Sequence, residues 1–232
     1  MLSKKKSLAD EDSETNTKPY IRKRMSSEDR EQMIVHEAVN FFAEHGFEGK
    51  TRDLAARIGI TQPLLYRYFP SKESLIERVY QEVYVSRWNP EWEALITDRS
   101  KPLDDRLCHF YQSYSGAVYD YVWVRIFVYS GLKGVDINDR YLAMIREKVL
   151  EPICREIRHS HNLPSADETP ITDAEIELVW GLHGMFFYRA VRFFVYNLPV
   201  ADNTDTSIEH DVRTFLVGAP NTIKKLIDNT HA

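Results

Sequence analysis

Apolar residues along most of this chain recur at the spacing of a helix face, and no stretch alternates convincingly between apolar and polar residues as a strand does. In the first such segment, the positions that follow the i, i+4, i+7, i+8 spacing of one buried face are Ile34, Ala38, Phe41 and Phe42. Ser26 or Ser27 can cap this helix at its N-terminus, and Gly46 supplies a stop at its C-terminus. The pattern therefore predicts an amphipathic first helix between these residues.

Two short helices follow within the next segment of the chain. One is predicted for residues 51–58, and Gly59 ends it. Thr61 caps the next, which tolerates Pro63 in its first turn and ends at Pro70. The two helices are therefore joined by a tight turn that contains glycine.

Helical periodicity continues through the rest of the chain. A fourth helix, capped by Ser71, is predicted to continue to about Trp88. Further helices, separated by loops at "NPEW", "GLKGVD" and "HNLPSADETP", are predicted at roughly 102–120, 122–133, 137–160, 173–197 and 207–228. The fold class is therefore predicted as all-α, with a small N-terminal bundle and a larger C-terminal bundle.

The third helix presents two different faces. On a helical wheel its inward side is formed by Leu65, Tyr68 and Phe69. The opposite arc, which the core does not need, is formed by Gln62, Pro63, Tyr66 and Arg67. That arc combines an amide, a phenol, a flat apolar ring and a guanidinium, groups that can read base edges and hold phosphates. Two short helices that rest on a longer one form a helix-turn-helix, whose second short helix can enter a major groove.

Charge is distributed unevenly along the chain. Residues 1–72 hold 13 Lys and Arg against 11 Asp and Glu, a balance of +2, whereas the rest hold 17 against 24, a balance of −7. A slightly basic N-terminal third on an acidic body favours an anionic partner for that third. Residues 1–25 are polar and charged and predict a disordered tail. Within it, "YIRKR" (20–24) either lies along a neighbouring DNA groove or is a solvated charge run.

Motifs for catalysis or metal binding are missing from the sequence. "HEAVN" at 36–40 begins like a zinc-protease motif, but Asn40 stands where the second histidine ligand is required. No Gly-rich phosphate loop, cysteine cluster or nucleophile elbow is present. We therefore predict no enzymatic activity, no cofactor and no metal site. Cys108 and Cys154 favour two unpaired, buried thiols in a reducing compartment over a single disulfide, and so a cytoplasmic location.

The segment "LVWGLHGMFFYRAVRFFVY" (178–196) is about long enough to span a membrane. Arg189 and Arg192 interrupt it, and charged side chains at mid-bilayer are costly. We therefore predict no membrane association, and expect a helix buried between neighbours or in a dimer interface. Gly181 and Gly184 would let another helix approach it closely.

The segment "TRDLAARIGITQPLLYRYFPSKESL" (51–75) resembles the DNA-binding region of the TetR/AcrR family of bacterial transcriptional regulators. The residues that carry the resemblance are Thr51, Arg52, Leu54, Ala55, Gly59, Gln62, Pro63, Leu65, Tyr66 and Lys72. "FFAEHGFEG" at 41–49 resembles the end of the family's first helix, so the match covers about residues 26–85. The resemblance implies a three-helix helix-turn-helix DNA-binding domain at 26–86 and a C-terminal domain at 87–232 for ligand binding and dimerisation.

The resemblance also implies a role for each residue of this surface. Phosphate contacts are expected from Thr51 at the cap of the second helix, and from Thr61, Tyr66, Tyr68 and Lys72. Base contacts are expected from Arg52 to guanine, from Gln62 to adenine, and to a thymine methyl group from Pro63 and Leu64. Arg67 could contact either. Two residues have an alternative role. Arg52 could form an ion pair with Asp53 or Glu48 instead of contacting DNA, and Tyr68 could be half in the core and half in contact with a phosphate.

The C-terminal body is unusually aromatic. Its rings, with a histidine and an arginine, give the candidate ligand-binding residues Tyr111, Tyr114, Trp123, Arg125, Phe127, His183 and Phe187. Either these side chains are simple core packing, or some of them line an apolar cavity in which Tyr hydroxyls, His183 or Arg125 are the polar groups. The resemblance implies such a cavity, for a small apolar or aromatic effector, and a homodimer through the last two long helices, about 173–197 and 207–228.

These observations together predict a dimeric regulator of transcription. One short recognition helix makes too few contacts, so two copies facing successive major grooves require a near-palindromic operator of double-stranded DNA. The resemblance implies a repressor that a small-molecule effector releases. The alternative is a nonspecific or adaptor-type DNA-binding protein without a small ligand, and titration with palindromic and scrambled DNA distinguishes the two.

Overall fold

Capping residues set where the first helices begin. The structure is a computed structural model that describes residues 25–230, and its first helices are α1 (Ser27–His45), α2 (Thr51–Ile58), α3 (Gln62–Tyr68) and α4 (Lys72–Tyr80). The Ser26 hydroxyl accepts a hydrogen bond from the backbone N–H of Asp29 at 2.9 Å, and that of Ser71 accepts one from Ser74 at 3.1 Å. The predicted tail, up to residue 24 and with its basic run, lies outside the described residues.

The helices α2 and α3 form a helix-turn-helix that rests on α1. Gly59 joins them with a φ of 76° and a ψ of 30°, the left-handed conformation that glycine adopts without steric cost. The Thr61 hydroxyl then caps α3 by accepting from the Leu64 N–H at 3.3 Å. Leu65 and Phe69 are 1% and 5% exposed, which confirms the inward side predicted for these two residues.

The helices of the C-terminal body follow the predicted periodicity. A π-helical turn (Gln81–Val85) extends α4, and the further helices are α5 (Glu91–Thr97), α6 (Leu103–Val118), α7 (Tyr121–Lys133), α8 (Ile137–Ile145), α9 (Glu151–Ser160), α10 (Asp173–Phe194) and α11 (Thr204–Thr230). The described residues contain no strand, which confirms the all-α class with a helix-turn-helix and a larger C-terminal bundle. Among these helices, none combines the length and apolar character that crossing a membrane requires.

Two local predictions need correction. The sequence predicts a loop at "NPEW", but α5 begins there, because Trp92 and Ile96 lie one helical turn apart and are buried at 1% and 0% exposure. The single helix predicted at 137–160 contains a π-helical turn, Arg146–Leu150, between α8 and α9. Pro152 follows in the first turn of α9, where its ring lacks an N–H and crowds the carbonyl group four residues earlier. A π-helical turn accommodates such a residue without ending the helix.

The N-terminal bundle packs directly on the body through α7. Arg125 Nε donates to the carbonyl oxygen of Ala43 in the last turn of α1 at 2.7 Å, and its guanidinium also donates to the Tyr129 hydroxyl at 2.9 Å. The Tyr129 ring lies against Gly46, where a Cβ atom would come within 3.0 Å of the ring. The glycine at the end of α1 therefore permits close packing of α7 on the helix that supports α2 and α3.

The π-helical turn of α4 carries Tyr84 into the core of the body. Tyr84 is 1% exposed, and its hydroxyl donates to the carbonyl oxygen of Trp123 at 3.2 Å. The two rings lie 5.1 Å apart. Arg140 on α8 also reaches α4, where it binds Glu77 at 2.8 Å. The helix α4 is therefore a direct physical connection between the N-terminal helices and the aromatic core.

The two cysteines are buried and unpaired, as predicted. Burial raises the pKa of the Cys154 thiol to about 12 and that of the Cys108 thiol to about 11. Both thiols are therefore protonated at neutral pH, and they serve as small apolar groups in the core.

Candidate nucleic-acid interface

The outward arc of α3 is open to solvent, as the helical wheel predicts. Pro63, Tyr66 and Arg67 are exposed, and Gln62 is half-buried. The residues at the edges of the two faces, Leu64 and Tyr68, are both half-buried. α3 therefore has one side in the core and one side available to a partner.

Thr51 organises the polar side chains of this arc rather than capping α2. The resemblance implies Thr51 as the cap, which is wrong: Thr51 is the first residue of α2, as the helix predicted for 51–58 has it, it follows Lys50, and only 9% of its surface is exposed. Its hydroxyl oxygen accepts from Gln62 Nε2 at 3.0 Å and lies 3.0 Å from the Tyr66 hydroxyl. One buried hydroxyl therefore joins the start of α2 to two residues of α3. We call Thr51, Gln62 and Tyr66 the reading triad.

The bond to Thr51 determines what Gln62 can offer to a ligand. The amide nitrogen carries two N–H groups, of which one donates to Thr51 and one remains. The amide oxygen accepts no hydrogen bond from the described residues. A free acceptor beside a free donor is the combination that the adenine edge requires in the major groove.

Two arginines project beside the reading triad. The Arg52 side chain is 78% exposed, and its Nε lies 3.9 Å from the carboxylate of Asp53, which is a loose contact. Glu48, its other alternative partner, binds Lys133 Nζ at 2.5 Å instead. Arg67 is exposed and forms no ion pair with a described residue. Both guanidinium groups therefore keep donors free for a phosphate or a guanine edge.

Two of the other predicted phosphate contacts already bind protein groups. Lys72 Nζ donates to the carbonyl oxygens of Phe47 and, at 2.9 Å, Gly49, and so ties the start of α4 to the turn after α1. The Tyr68 hydroxyl accepts from Ser27 Oγ at 3.4 Å, which attaches α3 to α1. Lys72 keeps one N–H and Tyr68 keeps its O–H as donors, so each can hold a phosphate while it supports the fold.

A shallow depression of about 440 Å³ brings part of this set together. Its lining residues are Glu48, Lys50, Thr51, Arg52, Gln62 and Lys72. Lys50 is exposed and belongs to this surface, although the sequence analysis did not select it. The signal that could have found it is its place in the basic run "KTR", immediately before Thr51 and Arg52.

Six of the seven candidate ligand-binding residues form one aromatic cluster in the body. The Trp123 ring stacks on Phe127 at 4.9 Å, Phe127 lies 5.4 Å from Phe187, and His183 lies 5.4 Å from Tyr114. The remaining ring, Tyr111, lies 6.0 Å from His183. Arg125 does not join this cluster: its guanidinium lies at the joint between α7 and α1, where it serves the fold. The prediction that Arg125 is a polar group of this cluster is therefore wrong, because its guanidinium binds the Ala43 carbonyl oxygen and the Tyr129 hydroxyl instead.

Several polar atoms of this aromatic cluster are buried without a partner. Tyr111 OH, Trp123 Nε1 and His183 Nδ1 form no hydrogen bond within the part of the chain that the structure describes. Burial lowers the pKa of His183 to about 4, so its imidazole is neutral at physiological pH. An unpaired buried polar group costs free energy, and a ligand, a water molecule or a rearrangement can remove that cost.

A cavity of about 450 Å³ opens beside the aromatic cluster, between α6, α10 and the start of α11. Its aromatic lining residues are Tyr119, Phe186, Phe193 and Phe194. None of the seven candidates lines it, so the sequence analysis missed its walls. The available signal was the pair of small residues Ser115 and Gly116, which leave space opposite the Phe193–Phe194 pair.

The structure also bears on metal binding. Within residues 25–230, no group of three His, Cys, Asp or Glu side chains is arranged to hold a metal ion. His36, from the partial zinc-protease motif, instead lies 3.4 Å from the Asn40 amide through its Nε2 atom.

Comparisons with known proteins relate this surface to DNA-binding proteins. Residues 34–79 match the family model described as "Bacterial regulatory proteins, tetR family", a match that includes all of α2 and α3. No curated protein matches the chain.

Solved structures share the fold over most of the chain. A tetR-family transcriptional regulator from Streptomyces coelicolor is 18% identical over 88% of this chain and 90% of that chain, with a TM-score of 0.58. A TetR-like transcriptional regulator from Rhodococcus sp. RHA1 is 19% identical over 84% and 100%, with a TM-score of 0.63. A TetR family transcriptional regulator from Pseudomonas syringae pv. tomato str. DC3000 is 18% identical over 82% and 96%, with a TM-score of 0.55. At these identities the likeness establishes a common fold.

Proposed function

We propose that this chain, which belongs to the TetR family of bacterial regulatory proteins by its DNA-binding region and its fold, represses transcription. In this proposal it binds a palindromic operator as a dimer in the cytoplasm and leaves the DNA when a small molecule binds its body. The DNA-binding domain corresponds to residues 26–86, and the ligand-binding and dimerisation domain to 87–232. The observation that carries the proposal is the reading triad, which holds an amide and a phenol in place on the open face of α3.

The side chains that contact bases are those with free hydrogen-bonding groups or exposed apolar surface. Gln62 contacts an adenine through its free amide atoms, and Arg52 contacts a guanine through a guanidinium that is 78% exposed. Pro63 and Leu64 meet a thymine methyl group. Arg67 contacts a base or a phosphate, according to the path of the DNA.

Residues around the base-contacting side chains form the phosphate contacts. The hydroxyl of Thr61 and the ammonium of Lys72 each keep a donor, as does the Tyr68 hydroxyl. If Thr51 donates its own proton to the oxygen of Tyr66, the Tyr66 O–H points outward and can donate to a phosphate. Thr51 then acts by positioning its neighbours rather than by binding a phosphate itself.

Dimerisation involves α10 and α11, which include most of the predicted segments 173–197 and 207–228. Both helices expose apolar side chains: Met185 and Tyr188 on α10 are 45% and 57% exposed, and Val217 on α11 is 81% exposed. The glycines beside them, Gly181, Gly184 and Gly218, have nothing within 4 Å of an added Cβ atom. An apolar stripe with small residues allows a second copy of the chain to approach closely.

For ligand binding to release the DNA, a change in the body must reach α3. Tyr84 on α4 contacts the aromatic cluster through its ring and through its bond to the Trp123 carbonyl group at 3.2 Å. A molecule that binds one arrangement of the body better than another would therefore also favour one position of α4. Because α4 directly follows α3 in the chain, a shift of α4 changes the distance between the two DNA-binding domains of the dimer.

The proposed function is tested by selecting genomic DNA fragments that bind the full chain, and then titrating the recovered sequence. We expect a near-palindromic sequence that binds about a thousandfold or more tightly than a scrambled sequence at the same salt concentration. Equal affinity for both DNAs, with only a salt dependence, would indicate the nonspecific or adaptor-type alternative. Sedimentation at micromolar concentration tests the dimer separately, and a monomer would contradict it.

A further inference from the structure

The cavity between α6, α10 and α11 has walls that suit a small organic molecule. Its volume of about 450 Å³ lies in the range that binds drug-sized ligands. Phe186, Phe193 and Phe194 of α10 line it, and Tyr119 and Ile208 complete its apolar wall. Such a lining favours a ligand with an apolar or aromatic body.

The charged groups of the cavity favour a positive ligand. Arg189 lines the cavity, but its guanidinium binds Asp211 at 2.5 Å, so its charge is already neutralised. Asp202 and Asp205 also line the cavity, and neither carboxylate forms an ion pair with a described residue. An anionic ligand would therefore meet two uncompensated carboxylates, whereas a cation would be attracted by both.

Two further features of the same walls suit an ammonium group. The faces of Tyr119, Phe193 and Phe194 carry the negative side of their quadrupoles, which attracts a cation that lies over a ring, whereas the Phe186 ring already has the Arg189 guanidinium 5.9 Å from its centroid. Ser115 lines the cavity, and its Oγ atom is buried without a hydrogen-bond partner among the described residues. An N–H group of a protonated amine can donate to that oxygen and remove the cost of leaving it unpaired.

We propose that this cavity binds a small amphipathic cation, an ammonium group carried on an apolar or aromatic body. The site is separate from the aromatic cluster but shares a wall with it: Phe186 lies 4.3 Å from Tyr111, and Tyr119 lies 5.5 Å from Trp123. An occupant therefore touches Tyr119, whose ring lies against Trp123, and Trp123 in turn contacts Tyr84. That this molecule is also the effector rests on the proposed function.

Binding is tested on the full chain without DNA, using three probes that share one aromatic body. Naphthylmethylammonium, naphthylmethanol and naphthoate differ in charge, so calorimetric titration of each isolates the effect of charge. We expect the ammonium to bind about tenfold more tightly than the alcohol, and the naphthoate to bind most weakly. Equal affinities, stronger binding of naphthoate, or no binding of any probe would overturn the proposal.

Two variants locate the binding. Asp205→Asn should weaken the ammonium probe about fivefold and leave the alcohol unchanged, since only the charge is removed. Asp139→Asn is the matched control, because Asp139 is also an exposed aspartate in the first turn of a helix and does not line the cavity. If both variants, or neither, weakened the ammonium probe, Asp205 would not be its partner and the proposal would fail.

Filling the cavity gives an independent test of its position. Gly116 lines the cavity, and a Cβ atom added there meets nothing within 4 Å, so the backbone position accepts a side chain, and the larger leucine of Gly116→Leu would occupy part of the cavity. We expect this variant to abolish binding of all three probes, whereas Ala117→Leu, at an exposed position outside the cavity, retains it. Unchanged binding to Gly116→Leu would place the ligand elsewhere and overturn the proposal.

Adding the DNA separates the site from the effector role. If the operator is bound and the ammonium probe lowers its affinity only in chains with an open cavity, both proposals are supported. A probe that binds the cavity and leaves operator affinity unchanged would contradict the effector role in the proposed function, while the cation site would stand on the calorimetric results.

Discussion

The reading triad and the aromatic cluster differ in how completely their polar atoms are hydrogen-bonded. On the reading surface, the single hydroxyl of Thr51 lies 3.0 Å from a polar atom of both Gln62 and Tyr66. In the body, Tyr111 OH and His183 Nδ1 are buried with no hydrogen-bond partner among the described residues. Paired groups hold side chains in one arrangement before a ligand arrives, whereas unpaired groups leave a cost that a change of state can relieve. The reading triad is therefore held in place by hydrogen bonds, whereas the aromatic cluster keeps buried polar atoms that a change of state could pair.

The largest expected effect is a loss of stability of the body in acid. Burial lowers the folded-state pKa of His183 from 6.5 to about 4. Between these two values the unfolded chain binds a proton that the folded chain does not, so folding stability falls as the pH falls through this window. The full loss corresponds to about 3 kcal/mol. Urea unfolding at a series of pH values across the window measures it.

Replacing the histidine isolates this contribution from that of the carboxylates. In His183→Leu the part of the pH dependence that belongs to the imidazole should disappear, while the carboxylates contribute to both proteins alike. His159→Gln, at an exposed position, is the control for removing a histidine that the core does not bury. Parallel curves for the original chain and His183→Leu would show that His183 is not buried in the neutral form.

The next largest effect should come from breaking the reading triad. Thr51→Val keeps the shape of the buried side chain and removes the hydroxyl, so both Gln62 and Tyr66 lose their common partner. We expect operator binding to weaken by roughly 1–3 kcal/mol and the preference at the base read by Gln62 to relax. Competition binding with operators changed at single positions measures both quantities.

Restoring the hydroxyl provides the control. Thr51→Ser should recover most of the affinity, because it again offers one oxygen to both neighbours. If Thr51 acts through Gln62, then Thr51→Val combined with Gln62→Ala should relax the preference at that base no further than Gln62→Ala alone. Additive losses would mean that Thr51 contacts the DNA independently.

The bounds of α1, α2 and α3 could be predicted closely because caps and turns depend on neighbours in sequence. Ser26, Gly59 and Thr61 act on backbone groups within a few positions, and the structure places each as a cap or turn residue. The cap role that the resemblance implied for Thr51 fails because this side chain depends on distant residues instead. Its hydroxyl makes hydrogen-bond contacts with residues of the next helix, 11 and 15 positions away, and a capping rule considers only neighbouring backbone groups.

The body could be predicted only as a set of helices. Periodicity indicated α6, α10 and α11, but the cavity exists because side chains from all three meet, and their positions in the sequence do not show how the helices are rotated. Phe193 and Ser115 line one cavity although they lie far apart in the chain. Arg125 shows the converse: the local sequence groups it with Trp123 and Phe127, yet its helix directs it towards α1.

A pair of conservative substitutions then sharpens the contrast inside the body. Tyr114 OH lies 2.6 Å from Tyr141 OH, whereas Tyr111 OH has no partner among the described residues. Tyr114→Phe should therefore destabilise the fold by about 1 kcal/mol, because it leaves the Tyr141 hydroxyl unpaired. Tyr111→Phe should be neutral or stabilise it, because it removes a buried group that was already unsatisfied. Chemical unfolding of both variants at one pH compares them, and equal destabilisation would mean that Tyr111 OH has a partner.

The smallest expected effect concerns Lys50, which separates electrostatic attraction from sequence reading. Lys50 is exposed and lines the depression beside the reading triad, whereas Lys72 already donates to two backbone carbonyl groups. Lys50→Ala should weaken binding to palindromic and scrambled DNA by the same factor and reduce the slope of log affinity against log salt by about 0.9. Lys50→Arg keeps the charge and should keep the slope. If Lys50→Ala instead altered the preference at one base, Lys50 would belong with Gln62 and Arg52 among the residues that read sequence.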